Sequence, residues 1–420
     1  MISIIKSKKI YDIPIPFDDN SVIVTSFPSD LRYLRQNAVN IVKKTIAATN
    51  KNINLSLNIS NKGSHKIADL SKADILLEYA NGLTFFTKNH FASLELQNEI
   101  ITCLINVGFF YQNVALDMLQ NAYGSSLNDS DNLWTTSGTY LKKGLGILEY
   151  LKSVIPNFID IDLFKRLSEM IEEYKLIQQL GILLLSLTKL KRSLSNGSGD
   201  QLNLQTKDLK EASSTCLFYS KISVGCLETC IQLGKGRVIN NTLKDYLQGL
   251  IYLLLSMDQF RNEQCGVAIG MLEQSINSFS NIIPRSALTS TVLSTSKIKL
   301  KPINRMKSSF KSTLLKARQT SKSTTRNDTH HANNNNNNLL PALNDTLENF
   351  IIPLISLLDY VYHHTNDKLF FQPVITSEFE LKKFLPKGKS PQLESLPWWF
   401  NNGKIEEYRG NMRSVQESLF

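Results

Sequence analysis

The sequence contains few of the residues that interrupt regular structure. Its 420 residues include only 12 prolines and 19 glycines, which predicts long uninterrupted elements. It also lacks an apolar run long enough for a bilayer-spanning helix, since the longest stretches, near 180–187 and 247–257, reach about half the required length. Hydrophobic residues make up 42% and charged residues 20% of the chain, as in a folded soluble protein. We therefore expect any membrane association to be peripheral.

Cysteine is also scarce, and no secretion signal accompanies it. The chain has 5 cysteines, an odd number, which is typical of a reduced intracellular protein. The N-terminal apolar run ends at Lys6 and Lys8, too early for a signal peptide. We expect a cytoplasmic protein that is at most peripheral at a membrane.

Acidic residues are absent from Pro284 to Asn327, a stretch that carries eleven lysines and arginines. The formal charge of the whole chain is +10, so this stretch holds all of the excess and the rest of the chain sums to −1. A protein that is basic in one segment alone does not wrap around a polyanion. The pattern argues against nucleic acid as the partner.

The basic stretch has the spacing of an amphipathic helix. Ile303, Phe310 and Leu314 recur at helical intervals with cations between them. Those cations are Lys307, Lys311, Lys316 and Arg318. Such a helix could lie on anionic lipid, or its apolar stripe could dock on the protein while the lysines face water. Six asparagines follow at 333–338, so we expect a largely disordered insertion at about 285–338.

Hydrophobic periodicity predicts a mainly α-helical protein. Two short alternating runs, 13–17 and 21–27, flank turn residues and predict a small N-terminal β-hairpin. All later segments have the helical period. The predicted helices are 31–49, 67–87, 94–122, 139–154, 160–194, 204–234, 243–280 and 340–363. Consecutive helices of this length, without a fixed repeat, favour an elongated array of antiparallel pairs. Pro353 predicts that the last helix kinks or begins a new turn there.

Motifs for catalysis or cofactor binding are missing. Gly144 and Gly146 begin a possible dinucleotide motif, but Glu149 stands in place of its third glycine, and we interpret these glycines as helix breaks. Cys226 and Cys230 lie one helical turn apart without the further ligands that a zinc site needs. No nucleophile motif occurs. We expect no cofactor, no metal and no enzymatic activity.

Trp398 and Trp399, in the sequence LPWWF, are the most conspicuous aromatic pair. An exposed pair of this kind could anchor a partner or a membrane. The other interpretation, which we favour, is that the pair folds back onto the helices.

Several segments resemble Bro1 domains, in the order in which that family has them. The sequence NEIITCLINVGFFYQNVA, residues 98–115, resembles the signature helix of the family, with matches at 105–108 and 111–112. Other matching segments are IPIPF at 13–17, YLKKGLGILEYLKSVIPN at 140–157, CGVAIGMLEQSINSF at 265–279 and NDKLFFQPVI at 366–375. The resemblance covers about 12–390.

The resemblance implies a curved helical array, with helix pairs like those of TPR proteins, as one domain over 1–395 followed by a short tail at 396–420. The chain lacks the coiled region and proline-rich tail of long family members, so it is most similar to the fungal PalC-type ambient-pH signalling proteins. In the family, an apolar patch binds the C-terminal amphipathic helix of an ESCRT-III subunit. Matching CLFYSKISVGCLETC, 216–230, to the patch helix puts Leu217, Phe218 and Ile222 near the contact, or else all three in the core.

The function implied by this resemblance is that of a non-catalytic adaptor. PalC-type proteins connect a plasma-membrane alkaline-pH sensor and its arrestin-like component to ESCRT-III, which leads to proteolytic activation of a transcription factor. We would expect such a protein in the cytoplasm and at the plasma membrane or endosome. The alternative is a basic helical adaptor that binds anionic membrane, or nucleic acid, directly through 297–326.

Overall fold

The structure is a computed structural model, and it describes a mainly helical chain, as the periodicity predicts. The described residues are 26–51, 64–89, 94–124, 127–154, 161–195, 206–233, 241–285, 288, 339–389, 391, 393–401 and 404–405. The predicted N-terminal hairpin and the basic insertion lie almost wholly outside them, and both stay predictions.

The helices follow the predicted order. They are α1 Ser29–Lys51, α2 Ser64–Asn89, α3 Leu94–Gly124, α4 Leu127–Val154, α5 Ile161–Leu194, α6 Thr206–Ala212, α7 Cys216–Leu233, α8 Asn241–Arg261, α9 Cys265–Ser280, α10 Pro341–Thr346, α11 Ile352–Thr365 and α12 Glu378–Lys382. A 3₁₀ turn, Ser213–Thr215, joins α6 to α7. Two short strands, β1 Phe400–Asn401 and β2 Lys404–Ile405, pair antiparallel.

The chain divides into two compact units. Of the described residues, those up to Gln178 and those from 393 onward form the first unit, and those from Gln179 to Pro391 form the second. The division falls within α5, and the first unit is built from two separate parts of the sequence.

In the first unit, α3 is the central helix, as its wide apolar stripe predicts. Its residues 101–112 are all buried, and it packs against α2 and α4. The sequence analysis expected no segment long and apolar enough to cross a membrane, but among the described residues Leu96–Gly124 of α3 is one by length and composition. Of its most apolar stretch, 83% is buried within the protein. Burial of this extent is typical of a core helix.

A buried ion pair joins three helices of the first unit. Arg35 in α1 donates from Nη2 to Oε1 of Glu99 in α3 at 3.0 Å, and both side chains are almost completely buried. Tyr79 in α2 donates its hydroxyl hydrogen to the same carboxylate. The burial of two charges is offset here by pairing and hydrogen bonding.

The glycines of α4 are not helix breaks, which corrects the interpretation above. Gly144 and Gly146 both lie within α4. A methyl group on Gly144 would overlap the ring of Tyr174, and one on Gly146 would overlap the carbonyl oxygen of Leu396. These positions are glycine because neighbouring groups occupy the space of a side chain, a requirement that the sequence pattern alone does not reveal.

The predicted start of α4 was also wrong. Polar residues near 128–131 suggested a loop, and the helix was expected from residue 139, whereas it begins at Leu127. Thr135, Thr136 and Thr139 each donate a hydroxyl hydrogen to the carbonyl four residues earlier, at 3.0, 2.6 and 3.0 Å. These hydrogen bonds satisfy the threonine hydroxyls within α4, so the polar residues of this stretch are compatible with a helix.

The second unit is built around α8. The predicted helix 243–280 is two helices, because the chain turns at 262–264, where Glu263 has a left-handed φ of 62°. No glycine or proline indicates this turn. Pro353 perturbs its helix as predicted, since a π-helical turn, Leu347–Ile351, separates α10 from α11 just before it.

Candidate functional site

The candidate partner-binding surface lies on α7, in the second unit. The chain reaches it through α6 and the 3₁₀ turn, where Ser213 donates to the carbonyl of Leu209 at 2.6 Å. The inner face of α7 is small and buried, with Cys216, Ser223 and Cys226 among its residues. Small residues there allow α7 to pack against α8.

Two of the three predicted contact residues are at the surface. Leu217 is 37% exposed and Phe218 is 47% exposed, high values for large apolar side chains. Ile222 is only 2% exposed, so its side chain belongs to the core and cannot reach a partner while the unit is folded. The apolar pattern of α7 could not separate these cases because the helix is apolar on nearly every face.

Phe218 has a basic neighbour. The ammonium nitrogen of Lys389 lies 5.1 Å from the centroid of its ring, and the backbone N–H of Lys389 donates to the carbonyl of Lys221 at 2.9 Å. The ring of Tyr219 lies 6.1 Å from that of Phe218, centroid to centroid. The exposed surface therefore combines an apolar anchor with positive charge.

A groove adjoins this surface. It has a volume of about 470 Å³, and the end of α5 and the path from α6 to α7 form its walls. Its lining residues are Lys189, Leu190, Ser193, Glu211, Ala212, Ser214, Thr215 and Tyr219. Tyr219 lines the groove and is the chain neighbour of Phe218, whose own side chain lies outside the lining.

One tryptophan of the adjacent pair is buried, and the other is partly exposed. Trp398 is 9% exposed, and its ring meets Tyr150 of α4 at 5.0 Å and 75°. Trp399 is 37% exposed. Next to this pair, Lys142 forms an ion pair with Glu394 at 2.7 Å. Trp398 thus folds back onto a helix, the interpretation that the sequence favoured, and only Trp399 offers a substantial surface.

The cations proposed for membrane contact, Lys307, Lys311, Lys316 and Arg318, lie outside the described residues. Their role stays a prediction.

The cysteines do not form a reactive site. All five are buried and unbridged. Burial raises the pKa of the Cys226 thiol well above its usual value and that of Cys230 to about 11, so both are protonated and weakly nucleophilic at neutral pH. Among the described residues, no group of three His, Cys, Asp or Glu side chains is arranged to hold a metal ion.

A second exposed apolar surface was not indicated by the sequence reasoning. It follows α11 in the second unit and consists of Leu369, Phe371, Val374, Phe379, Phe384 and Leu385. The signal that could have revealed it is the sequence LKKFLPKGK, 381–389, which alternates lysines with large apolar residues and has no acidic residue.

The chain is similar to known proteins over most of its length. A model described as a family of unknown function (DUF5355) matches residues 94–420. The chain is also 35% identical over 404 residues to an uncharacterized protein of Saccharomyces cerevisiae, YGR122W, and the match covers 94% of each chain. Neither description assigns a function.

Proposed function

We propose that this chain, which belongs to the DUF5355 family of unknown function, is a non-catalytic adaptor with a Bro1-like helical arrangement. It binds the C-terminal amphipathic helix of an ESCRT-III subunit and links it to an alkaline-pH sensing complex with an arrestin-like component. This linkage at the plasma membrane or endosome promotes proteolytic activation of a transcription factor. The ordered resemblance to Bro1 domains and the helical fold support the proposal.

The observation that carries the proposal is the exposure of two adjacent large apolar side chains, Leu217 and Phe218, in the first turn of α7, whose inner face is buried. Large apolar side chains at the surface are anchors for partners when they stand beside a groove. Here the groove of about 470 Å³ lies next to Phe218 through Tyr219.

The shape and charge of the surface suit an amphipathic helix. Such a helix places apolar residues in a groove at intervals of three and four. Leu217 and Phe218 would receive these residues, and Lys389 beside the ring would meet acidic groups on the flank of the helix. The apolar anchors supply most of the binding energy, so salt weakens the complex only modestly.

The first prediction concerns Phe218. Replacing Phe218 with Ser removes the anchor from a position that is half exposed, so the fold persists. We expect the affinity for a C-terminal helix peptide of the cognate ESCRT-III subunit to fall at least about tenfold. Fluorescence anisotropy of the labelled peptide, titrated with the full chain, measures this change.

The matched control is Ile231→Ser. Ile231 is 38% exposed on the same helix and lies about 20 Å along the axis from Phe218. Circular dichroism checks that both variants are folded. Equal affinities of wild type and Phe218→Ser, or equal losses in both variants, would contradict the proposal. Ile222→Asp is unsuitable because a charge at that buried position would unfold the unit.

The signalling half of the proposal is tested in cells of the source organism. After a shift to alkaline medium, Phe218→Ser should reduce processing of the transcription factor, while Ile231→Ser should leave it unchanged. Processing that continues at the wild-type level in Phe218→Ser cells, with peptide binding lost in vitro, would reject this half alone.

A further inference from the structure

Helix α12 is anchored by one buried side chain and exposes its other large residues. Leu381 is completely buried, against a core cluster that includes Tyr252 and Met271. Phe379 lies two residues before it, which places its ring on the opposite side of the helix. The ring is 75% exposed. The side chain of Phe379 therefore projects into solvent from a helix that Leu381 anchors to the core.

The residues after α12 keep the helical turn and add apolar surface. The backbone N–H groups of Phe384 and Leu385 donate to the carbonyls of Leu381 and Lys382 at 3.1 and 3.2 Å. Phe384 and Leu385 are each 37% exposed. Three large apolar side chains thus reach solvent within seven residues of chain.

Lysines surround these apolar residues. The ammonium nitrogen of Lys383 lies 5.3 Å from the Phe379 ring, and Lys387 and Lys389 follow, both exposed. Glu378 pairs with Lys382 at 2.8 Å, and Glu380 is the other exposed carboxylate within α12. The Glu228 carboxylate also lies close, against Gly388. The four lysines of 378–389 still outnumber these three carboxylates, so the surface keeps an excess of positive charge.

The exposure of the Phe379 ring distinguishes this surface from the one on α7. Leu217 and Phe218 are 37% and 47% exposed, whereas Phe379 is 75% exposed. A phenyl ring that stands free among lysines is the arrangement that enters the interface of an anionic bilayer, with the ring among acyl chains and the ammonium groups among headgroups.

We infer that residues 379–389 form a contact surface for anionic phospholipid membranes. This inference goes beyond the proposed function, because it names another partner and, apart from Lys389, which also lies over the Phe218 ring, it involves other side chains. Phe379, with Phe384 and Leu385, enters the bilayer interface, and Lys383, Lys387 and Lys389 bind the headgroups. The surface differs from the basic stretch 297–326, which the sequence alone suggested for membrane contact.

The experiment is vesicle flotation with the full chain. Vesicles of phosphatidylcholine with about 30% phosphatidylserine are compared with pure phosphatidylcholine vesicles at about 0.1 M salt. We expect wild type to partition at least about tenfold more strongly onto the anionic vesicles. The triple variant Phe379→Ser/Lys383→Ala/Lys387→Ala should lose at least about tenfold of that partitioning.

The matched control is Tyr33→Ser/Lys43→Ala/Lys44→Ala, which removes an exposed ring and two exposed lysines from α1. It should remain within about threefold of wild type. Equal partitioning of wild type onto both vesicle types would overturn the inference. So would retention of anionic binding by the Phe379 variant, including the case in which that variant instead loses affinity for the helix peptide, since the surface would then bind protein.

A second readout does not depend on loss of binding. Phe379→Trp places an indole at the proposed point of insertion, and vesicles with brominated acyl chains should quench its added fluorescence. Tyr33→Trp should add fluorescence that these vesicles leave unquenched. Unquenched emission from Trp at 379 in vesicle-bound protein would overturn the inference.

Discussion

At the scale of single residues, Arg35 and Glu99 form a buried ion pair in the first unit. Both charges are buried, so each depends on the other and on the hydroxyl of Tyr79. Burial, first, and the nearby Glu99 carboxylate raise the pKa of Tyr79 far above its usual value. The phenol therefore remains a hydrogen-bond donor, and the carboxylate remains its acceptor.

Removing one partner should be costly. Arg35→Met leaves the Glu99 charge buried without its cation, so we expect a loss of about 3–5 kcal/mol in the free energy of unfolding. Replacing both residues with apolar ones, Arg35→Met/Glu99→Leu, should lose less than the single variant, because no charge stays buried. Urea unfolding followed by circular dichroism measures both. A double variant less stable than Arg35→Met would contradict this account.

The exposure of individual residues was the least predictable property. Leu217, Phe218 and Ile222 all belong to an apolar helix, and their spacing is compatible with one surface. Only the packing of α7 against α8 decides that Ile222 is inside. Likewise, Trp398 and Trp399 are adjacent and identical, yet Trp398 is 9% exposed and contacts Tyr150, whereas Trp399 is 37% exposed.

At the scale of elements, the non-helical segment 372–377, which precedes α12, lies against the start of α9. Ile375 donates its backbone N–H to the carbonyl of Gly266 at 3.3 Å. The side chain of Gln372 accepts from the N–H of Gly266 at 3.0 Å and donates to the carbonyl of Glu263 at 2.8 Å. The segment therefore also closes the turn between α8 and α9. Gly270 makes the approach possible, since a methyl group there would overlap the carbonyl oxygen of Ile375.

Gly270→Ala should displace this segment. The overlap is with backbone, which cannot rotate away, so we expect a loss of about 2–4 kcal/mol in the free energy of unfolding. Hydrogen exchange at the Ile375 amide should accelerate at the same time. Gly138→Ala is the control, because a methyl group there meets nothing within 4 Å; it should be neutral or stabilising by up to about 1 kcal/mol. Slow exchange at Ile375 in Gly270→Ala would contradict the expectation.

The existence of the elements was largely predictable, and some of their ends were not. Apolar periodicity predicted α1, α2, α3 and α5 to within a few residues of their observed bounds. The start of α4 was missed because threonine hydroxyls bond within the helix. The turn at Glu263 was missed because part of what holds it is a hydrogen bond from Gln372, which is more than 100 residues away in the sequence.

At the scale of the whole molecule, the free energy of unfolding depends on pH in the alkaline range, because buried thiols are neutral in the folded chain. Burial is the main cause that raises the pKa of the thiols of Cys103, Cys216 and Cys226 above the usual value. Their folded pKa values exceed the unfolded ones. The stabilisation is therefore complete below the unfolded pKa, about 8.5, and declines as the pH rises above it, since only the unfolded chain releases these protons.

We expect the free energy of unfolding to fall by roughly 4–6 kcal/mol between about pH 8 and pH 10 from these three thiols. Urea unfolding at fixed temperature under reducing conditions measures the decline. Cys226→Ala should reduce the decline by about 1–2 kcal/mol over this interval, because one of the buried titrating thiols is gone. A free energy that stays constant to about pH 10 would show that the thiols are not buried as described.

How the first unit is assembled has a consequence for synthesis. Lys142 and Glu394 form an ion pair across 252 residues of chain, and at a typical rate of 5–20 residues per second the ribosome needs about 13–50 seconds to make the intervening polypeptide. During that interval the surface of α4 around Gly146 and Tyr150 has no covering segment. The nascent chain is then a substrate for chaperones, and the first unit is completed only after the second has emerged from the ribosome.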